Sequence, residues 1–140
     1  MNLYLDDERG LPDGFDRKVT TAAAAIALLE AGGVTRLSLD HDLGPPEAGT
    51  GYDVAQWLEK AAWLWSREEA GGVGPLTVGC HSANPVGAAN INWALSRAMS
   101  FWGIGERRRA GTLPEPKKAG PKVKPGAYTP TGNEWQEWAD

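Results

Sequence analysis

Cysteine, histidine and long apolar runs are scarce in this sequence, and each shortage excludes a class of protein. Cys80 is the only cysteine and there are two histidines, so a disulfide framework and a thiolate metal cage are both excluded. One cysteine is typical of a reducing compartment, and we predict a cytoplasmic location. No apolar run reaches the roughly 18–20 residues that cross a bilayer. Residues 1–8 carry acids where a signal peptide is apolar, so we expect no membrane partner.

Charge and proline divide the 140 residues into two parts. Residues 1–104 carry 7 Lys/Arg and 13 Asp/Glu, whereas residues 105–140 carry 7 and 5 and hold five of the ten prolines. We therefore predict one domain over 1–104 and a Pro/Gly-rich basic tail, mostly irregular, over 105–140. The basic segment 106–125 is either solvated charge or a contact for nucleic acid, and the sequence leaves both open.

Short apolar runs alternate with helical patterns along the first part of the chain. Strands are predicted at 3–5, 34–39 and 76–80, with a short edge strand at 16–20. Helices are predicted at 22–31, 52–69 and 85–102. This alternation predicts a flavodoxin-like, receiver-like three-layer α/β/α fold, with a parallel sheet of four strands in the order 2-1-3-4 and helices on both faces. A fifth strand is left open.

Acidic residues follow two of the predicted strands directly. Asp6 and Asp7 end the first apolar run, and Asp40 ends the second. Parallel strands end along one edge of the sheet, so these carboxylates are expected to meet there and to repel one another unless they hold a cation. Hard oxygen ligands favour Mg²⁺, with Mn²⁺ as the second choice. The competing interpretation is that these aspartates are turn residues and helix caps.

Both histidines also lie at predicted strand ends. His41 lies between Asp40 and Asp42, and His81 follows the third apolar run. Two imidazoles at a phosphodiester act as general base and general acid, and we predict this role for both, with Asp40 and Asp42 in the same catalytic group. The alternatives are that the histidines complete a metal site or that one of them is structural.

Helix starts at the same edge predict an anion site. Asn84 precedes a proline at the start of the last helix, where free N–H groups and the helix dipole favour a phosphate. Ser82 is close enough in sequence to donate to a phosphate oxygen, and Thr50 opens the preceding helix. We assign these three residues and Arg9 to substrate binding, against the simpler interpretation that Asn84 only caps its helix.

Four sequence blocks together resemble the cyclic-phosphate processing receiver family, a divergent branch of the response-regulator receiver fold. The blocks are Leu3–Arg9, Ser38–Gly44, Thr50–Ala55 and His81–Gly87, and the resemblance covers residues 1–102. It implies that Asp6 and Asp7 are the Mg²⁺-binding acidic pair, that Asp40 lies where receivers are phosphorylated, and that Ser82 contacts the phosphoryl group. His41 and His81 are similar to the histidines of the cyclic-phosphate branch.

Residues and resemblance together predict a metal-assisted phosphoesterase acting on cyclic phosphates. Its substrate would be a 2′,3′-cyclic phosphate RNA end or a cyclic nucleotide. The alternative is a non-catalytic, receiver-like signalling or nucleotide-sensing module. Receivers carry a Lys-Pro pair after a fifth strand, and here Lys124-Pro125 lies in the Pro/Gly-rich tail, which disfavours phosphorelay. The sequence does not predict an oligomeric state.

Overall fold

A computed structural model describes residues 1–112 of the chain. Its elements in chain order are β1 (Asn2–Leu5), β2 (Arg17–Val19), α1 (Ala22–Ala31), β3 (Arg36–Leu39), a 3₁₀ turn (Pro46–Ala48), α2 (Gly51–Ser66), β4 (Thr77–Cys80) and α3 (Pro85–Arg109). No helix in this part of the chain combines the length and the apolar character needed to cross a bilayer.

The four strands form one parallel sheet in the order β2-β1-β3-β4, as predicted. In the register of the sheet, Leu5 lies opposite Val19 and Leu39, and Leu39 lies opposite Cys80. All four strands therefore end at nearly the same level. The receiver-like α/β fold is confirmed, and the residues that follow β1, β3 and β4 lie side by side along one edge.

The core lies on one face of this sheet. Alternate strand positions such as Leu3, Leu5, Leu37 and Leu39 are at most 1% exposed and pack in a single cluster with residues of all three helices. Side chains alternate between the two faces of a strand, so intervening residues such as Tyr4 point away from the helices. Within residues 1–112 the helices thus form one layer, and the second helical layer that the sequence predicts is not found there.

The direction of the connections explains this single layer. The steps from β2 to β3 and from β3 to β4 cross the sheet in the same direction, and right-handed crossovers then place α1 and α2 on the same face. Only the step from β1 to β2 runs the opposite way, and its connection, residues 6–16, contains no helix. That connection covers the second face instead: Phe15 meets Tyr4 edge-on with 5.1 Å between ring centroids.

Helix α3 runs past the predicted domain boundary at residue 104 and ends at Arg109. Tertiary contacts explain the difference: Arg108 Nη1 donates to the Ser66 carbonyl over 2.8 Å, and the Arg109 guanidinium lies 3.6 Å from the Trp65 ring centroid. Gly105 allows α3 to approach α2 closely, since an added Cβ would lie 2.6 Å from the Trp65 ring. The interpretation of Arg108 and Arg109 as merely solvated charge is therefore wrong.

The rest of the predicted tail lies outside the described residues. This applies to most of the basic segment 106–125, to its suggested nucleic-acid contact and to Lys124-Pro125.

Candidate functional site

A pocket of about 270 Å³ lies at the edge where the strands end. Most of the residues that line it are charged or polar: Asp6, Asp7, Glu8, Arg9, Asp40, Asp42, Gly44, Ala83 and Asn84. The lining comes from the segments that follow β1, β3 and β4. The sheet thus brings together acids that are up to 36 positions apart in sequence, from 6 to 42, as the apolar runs ahead of them predict.

Asp6 is the buried member of this acidic pocket, with 1% of its surface exposed. Its Oδ1 accepts hydrogen bonds from the backbone N–H groups of Glu8 (2.9 Å) and Arg9 (3.0 Å), and its Oδ2 lies 2.9 Å from His81 Nε2. Burial opposes ionisation, but the two backbone hydrogen bonds and His81 outweigh it and hold the pKa of Asp6 below its usual value. Asp6 is therefore a carboxylate at neutral pH.

His81 is fixed by contacts on several sides. Its Nδ1 lies 2.7 Å from Ser38 Oγ, and its ring stacks on Tyr4 with 4.2 Å between centroids and 9° between planes. Arg9 Nη1 donates to the His81 carbonyl over 2.8 Å. Both ring nitrogens of His81 are therefore engaged within the protein. Neither His81 nor His41 is among the residues that line the pocket.

Ser38 and Tyr4 are site residues that the sequence analysis missed. The signal was available: both alternate with leucines in β1 and β3, so a period of two places them together on the face away from the core. A hydroxyl and an aromatic ring at those positions are suitable partners for an imidazole at the end of the neighbouring strand.

His41 has a different environment. Its Nδ1 lies 2.9 Å from Asp42 Oδ1, and Asn84 Nδ2 donates to Asp42 Oδ2 over 3.3 Å. The hydrogen bond with His41, the largest effect, and that with Asn84 lower the pKa of Asp42 despite some desolvation. The His41 ring packs on Gly87, where an added Cβ would lie 2.3 Å from its Cγ. Nε2 of His41 has no hydrogen-bond partner among residues 1–112.

Asp6, Asp40 and His81 form the group with metal-ligand spacing. Each offers one ligand atom, and these atoms all lie within 4.8 Å of one another. Asp7, which the resemblance pairs with Asp6, lines the same pocket but is not in this tighter group. The backbone around Asp40 is closely packed, since a Cβ at Gly51 would lie 1.9 Å from the Asp40 carbonyl oxygen.

The four predicted substrate-binding residues have different positions. Arg9 and Asn84 line the pocket, and Asn84 also caps α3 by accepting a hydrogen bond from Gly87 N (3.0 Å). Ser82 Oγ accepts from Asn84 N (3.1 Å), and Thr50 Oγ1 accepts from Asp53 N (3.2 Å) in a capping box. Neither hydroxyl residue belongs to the pocket lining, and each accepts a hydrogen bond from an N–H group near a helix start.

Comparison with known proteins is consistent with this geometry. Residues 1–97 match the family model described as the cyclic-phosphate processing receiver domain, a range that contains all four strands and every residue that lines the acidic pocket. Searches of curated proteins and of solved structures gave no match. Since the family model covers more than half of the sequence, the chain belongs to the cyclic-phosphate processing receiver domain family.

Proposed function

We propose that the protein is a metal-assisted phosphoesterase that opens cyclic phosphates. The substrate would be the 2′,3′-cyclic phosphate of an RNA end or a cyclic nucleotide. The observation that carries the proposal is the approach of the Asp6 and Asp40 carboxylates to one another and to His81, within 4.8 Å, at a pocket that also contains Asp7 and Arg9. Membership of the family supports a cyclic phosphate as the class of substrate.

The donor set of the acidic pocket fits a hard divalent cation. The carboxylates of Asp6 and Asp40, with that of Asp7 in the same pocket, are hard oxygen donors that suit Mg²⁺ or Mn²⁺. Asp6, Asp7 and Asp40 would hold the ion, which would offset their mutual repulsion and polarise a phosphoryl oxygen. Asp6 is suited to this because it is already ionised.

Arg9 is the cation available to a phosphate in this pocket. Its side chain is 48% exposed, and contacts with the His81 carbonyl and with Asp6 use only part of its five N–H donors. The N-terminus of α3 lies beside it, because the helix cap Asn84 belongs to the lining. Guanidinium and helix dipole together favour an anion at this point despite the surrounding acids.

The two histidines have different roles in this proposal. Asp42 holds His41 through Nδ1, which leaves Nε2 to take a proton from the attacking water or to give one to the leaving ribose oxygen. His81 has both ring nitrogens engaged and acts on Asp6 rather than on the substrate. An imidazole oriented by a carboxylate is an arrangement that recurs in general acid–base catalysis.

The decisive experiment is an assay on RNA oligonucleotides ending in a 2′,3′-cyclic phosphate and on cyclic mononucleotides, with Mg²⁺, with Mn²⁺ and with EDTA. Activity is expected with metal and not with EDTA. Asp40→Asn and His41→Ala should each lower kcat about 10²-fold or more. The control is Asp13→Asn, which changes an exposed acid outside the pocket lining and should behave like the wild type. If the wild-type protein consumes none of these substrates with either metal, the proposal is wrong.

One observation favours the alternative of a receiver-like signalling or nucleotide-sensing module. The Asp40 carboxylate accepts one hydrogen bond from the described residues, at Oδ1 from His41 N (2.8 Å). The other carboxylate oxygen accepts none from them, and phosphorylation needs such an oxygen. A beryllofluoride-dependent shift of the backbone resonances around Asp40, in a protein without hydrolytic activity, would favour that alternative. The cytoplasmic location and contact with nucleic acid stay predictions.

A further inference from the structure

We propose that Ser38, a residue outside the pocket lining, is a positioning residue for the acidic pocket. Its hydroxyl donates to His81 Nδ1 and thereby keeps the Nε2–H of the same ring on Asp6. The inference rests on the proposed function, in which Asp6 holds the metal, and it adds a residue on which that metal site depends.

The direction of the hydrogen bonds follows from what each group is able to donate. Asp6 is a carboxylate and only accepts, so the Nε2 that lies 2.9 Å from it carries a hydrogen. In the proposed tautomer the other ring nitrogen, Nδ1, is then the acceptor. The hydroxyl of Ser38, 2.7 Å away, is the donor that the described residues supply to it. Ser38, His81 and Asp6 therefore form one chain of hydrogen bonds with a fixed direction.

Position in the sheet explains why a serine on β3 serves this purpose. Ser38 lies opposite Tyr4 in the register, and both point to the face away from the helices. His81 follows β4, and its ring lies parallel to that of Tyr4. Stacking fixes the plane of the ring but not its rotation within that plane, and the two ends of the hydrogen-bond chain fix that rotation.

Loss of the hydroxyl would act on Asp6 through the ring. Nδ1 is part-buried, and without Ser38 it would lack a partner, which favours other orientations of the imidazole. Asp6 is 1% exposed, so solvent does not readily replace Nε2 as its donor. Outer-shell partners of a ligating group typically change metal affinity by about 10- to 100-fold when they are removed.

The test compares Ser38→Thr with Ser38→Val in the full chain. These side chains have nearly the same shape and differ by one hydroxyl, so a packing defect would affect both. Ser100→Ala is the matched control, since it removes a serine hydroxyl that donates only to a backbone carbonyl in α3. Two quantities are measured: the ¹⁵N shifts of the His81 ring nitrogens, and the affinity for Mn²⁺ by calorimetry.

We expect Ser38→Thr and Ser100→Ala to keep the wild-type Nδ1 shift and Mn²⁺ affinity. Ser38→Val should move the Nδ1 resonance downfield, towards that of an acceptor without a hydrogen bond, and weaken Mn²⁺ binding about tenfold or more. An unchanged Nδ1 shift in Ser38→Val overturns the inference whether or not metal binds. Absence of Mn²⁺ binding by the wild type contradicts the metal site of the proposed function, and the nitrogen shifts still decide the role of Ser38.

Discussion

Glu59 provides a prediction that follows from burial of a carboxyl group outside the acidic pocket. It lies in the middle of α2, is 2% exposed, and faces α3, where the charge of Arg97 interacts with it. Burial raises the pKa of this carboxyl from 4.5 to about 8, and attraction to Arg97 offsets only part of the effect. The folded protein therefore keeps Glu59 protonated at pH values where the unfolded chain has lost the proton.

The size of the effect follows from this difference. Because the folded-state pKa is raised, the contribution of Glu59 to the free energy of unfolding is complete below pH 4.5. It is lost as the pH rises through 8. Each pH unit in this window removes about 1.4 kcal/mol of unfolding free energy, so about 5 kcal/mol is lost over the window and about 3 kcal/mol by pH 7. Glu59→Gln has a similar shape and does not ionise, so it should remove this slope and stabilise the protein above pH 7.

The measurement is urea unfolding followed by tryptophan fluorescence at pH 5, 7 and 8.5. Wild-type protein should become less stable across this series, and Glu59→Gln should change much less. Glu30→Gln serves as the control because Glu30 is exposed on α1, and it should keep the wild-type dependence on pH. If Glu59→Gln shows the same slope as the wild type, the carboxyl is not protonated in the folded state and the reasoning fails.

Three further predictions concern packing around the site and at the end of α3. Gly87→Ala should lower activity about 100-fold, because the new Cβ would displace the His41 ring; wild-type activity would show that the ring position is unimportant. Arg108→Ala should lower the free energy of unfolding in urea by about 1–2 kcal/mol, because the Arg108 guanidinium donates to a carbonyl at the end of α2. Arg107→Ala, the control, should lower it little, and equal losses in the two variants would contradict the prediction. Gly79→Ala should stabilise the protein by about 0.4–1 kcal/mol, since an added Cβ meets nothing within 4 Å; a loss of stability would show a hidden constraint on β4.

The sheet and the acidic pocket were predictable because both follow from strong local signals. Predicted strands of three to six residues end directly before Asp6, Asp40 and His81, and parallel winding places such ends along one edge. The parallel order of strands, the receiver-like fold and the convergence of the acids all depend on that pattern, and the structure has them.

What the sequence did not predict depends on tertiary contacts. The length of α3 is set by Arg108 and Arg109 at the end of α2, which no helical periodicity reveals. The hydrogen bonds that Ser82 and Thr50 accept near helix starts are likewise not visible in the sequence, and the assignment of both residues to substrate stays a prediction. Ser38 was missed because its partner lies 43 positions away along the chain.

The helix-free connection between β1 and β2 has a consequence for how this protein tolerates change. The same eleven residues, 6–16, supply most of the pocket acids and Arg9, and also Phe15, which packs on Tyr4. Insertions or deletions there should disturb substrate contacts and sheet packing at once. The segment between β3 and α2 borders the same pocket and carries a similar double constraint, because it supplies Asp40 and Asp42 to the lining and also buries Leu43 and Ala48 in the core.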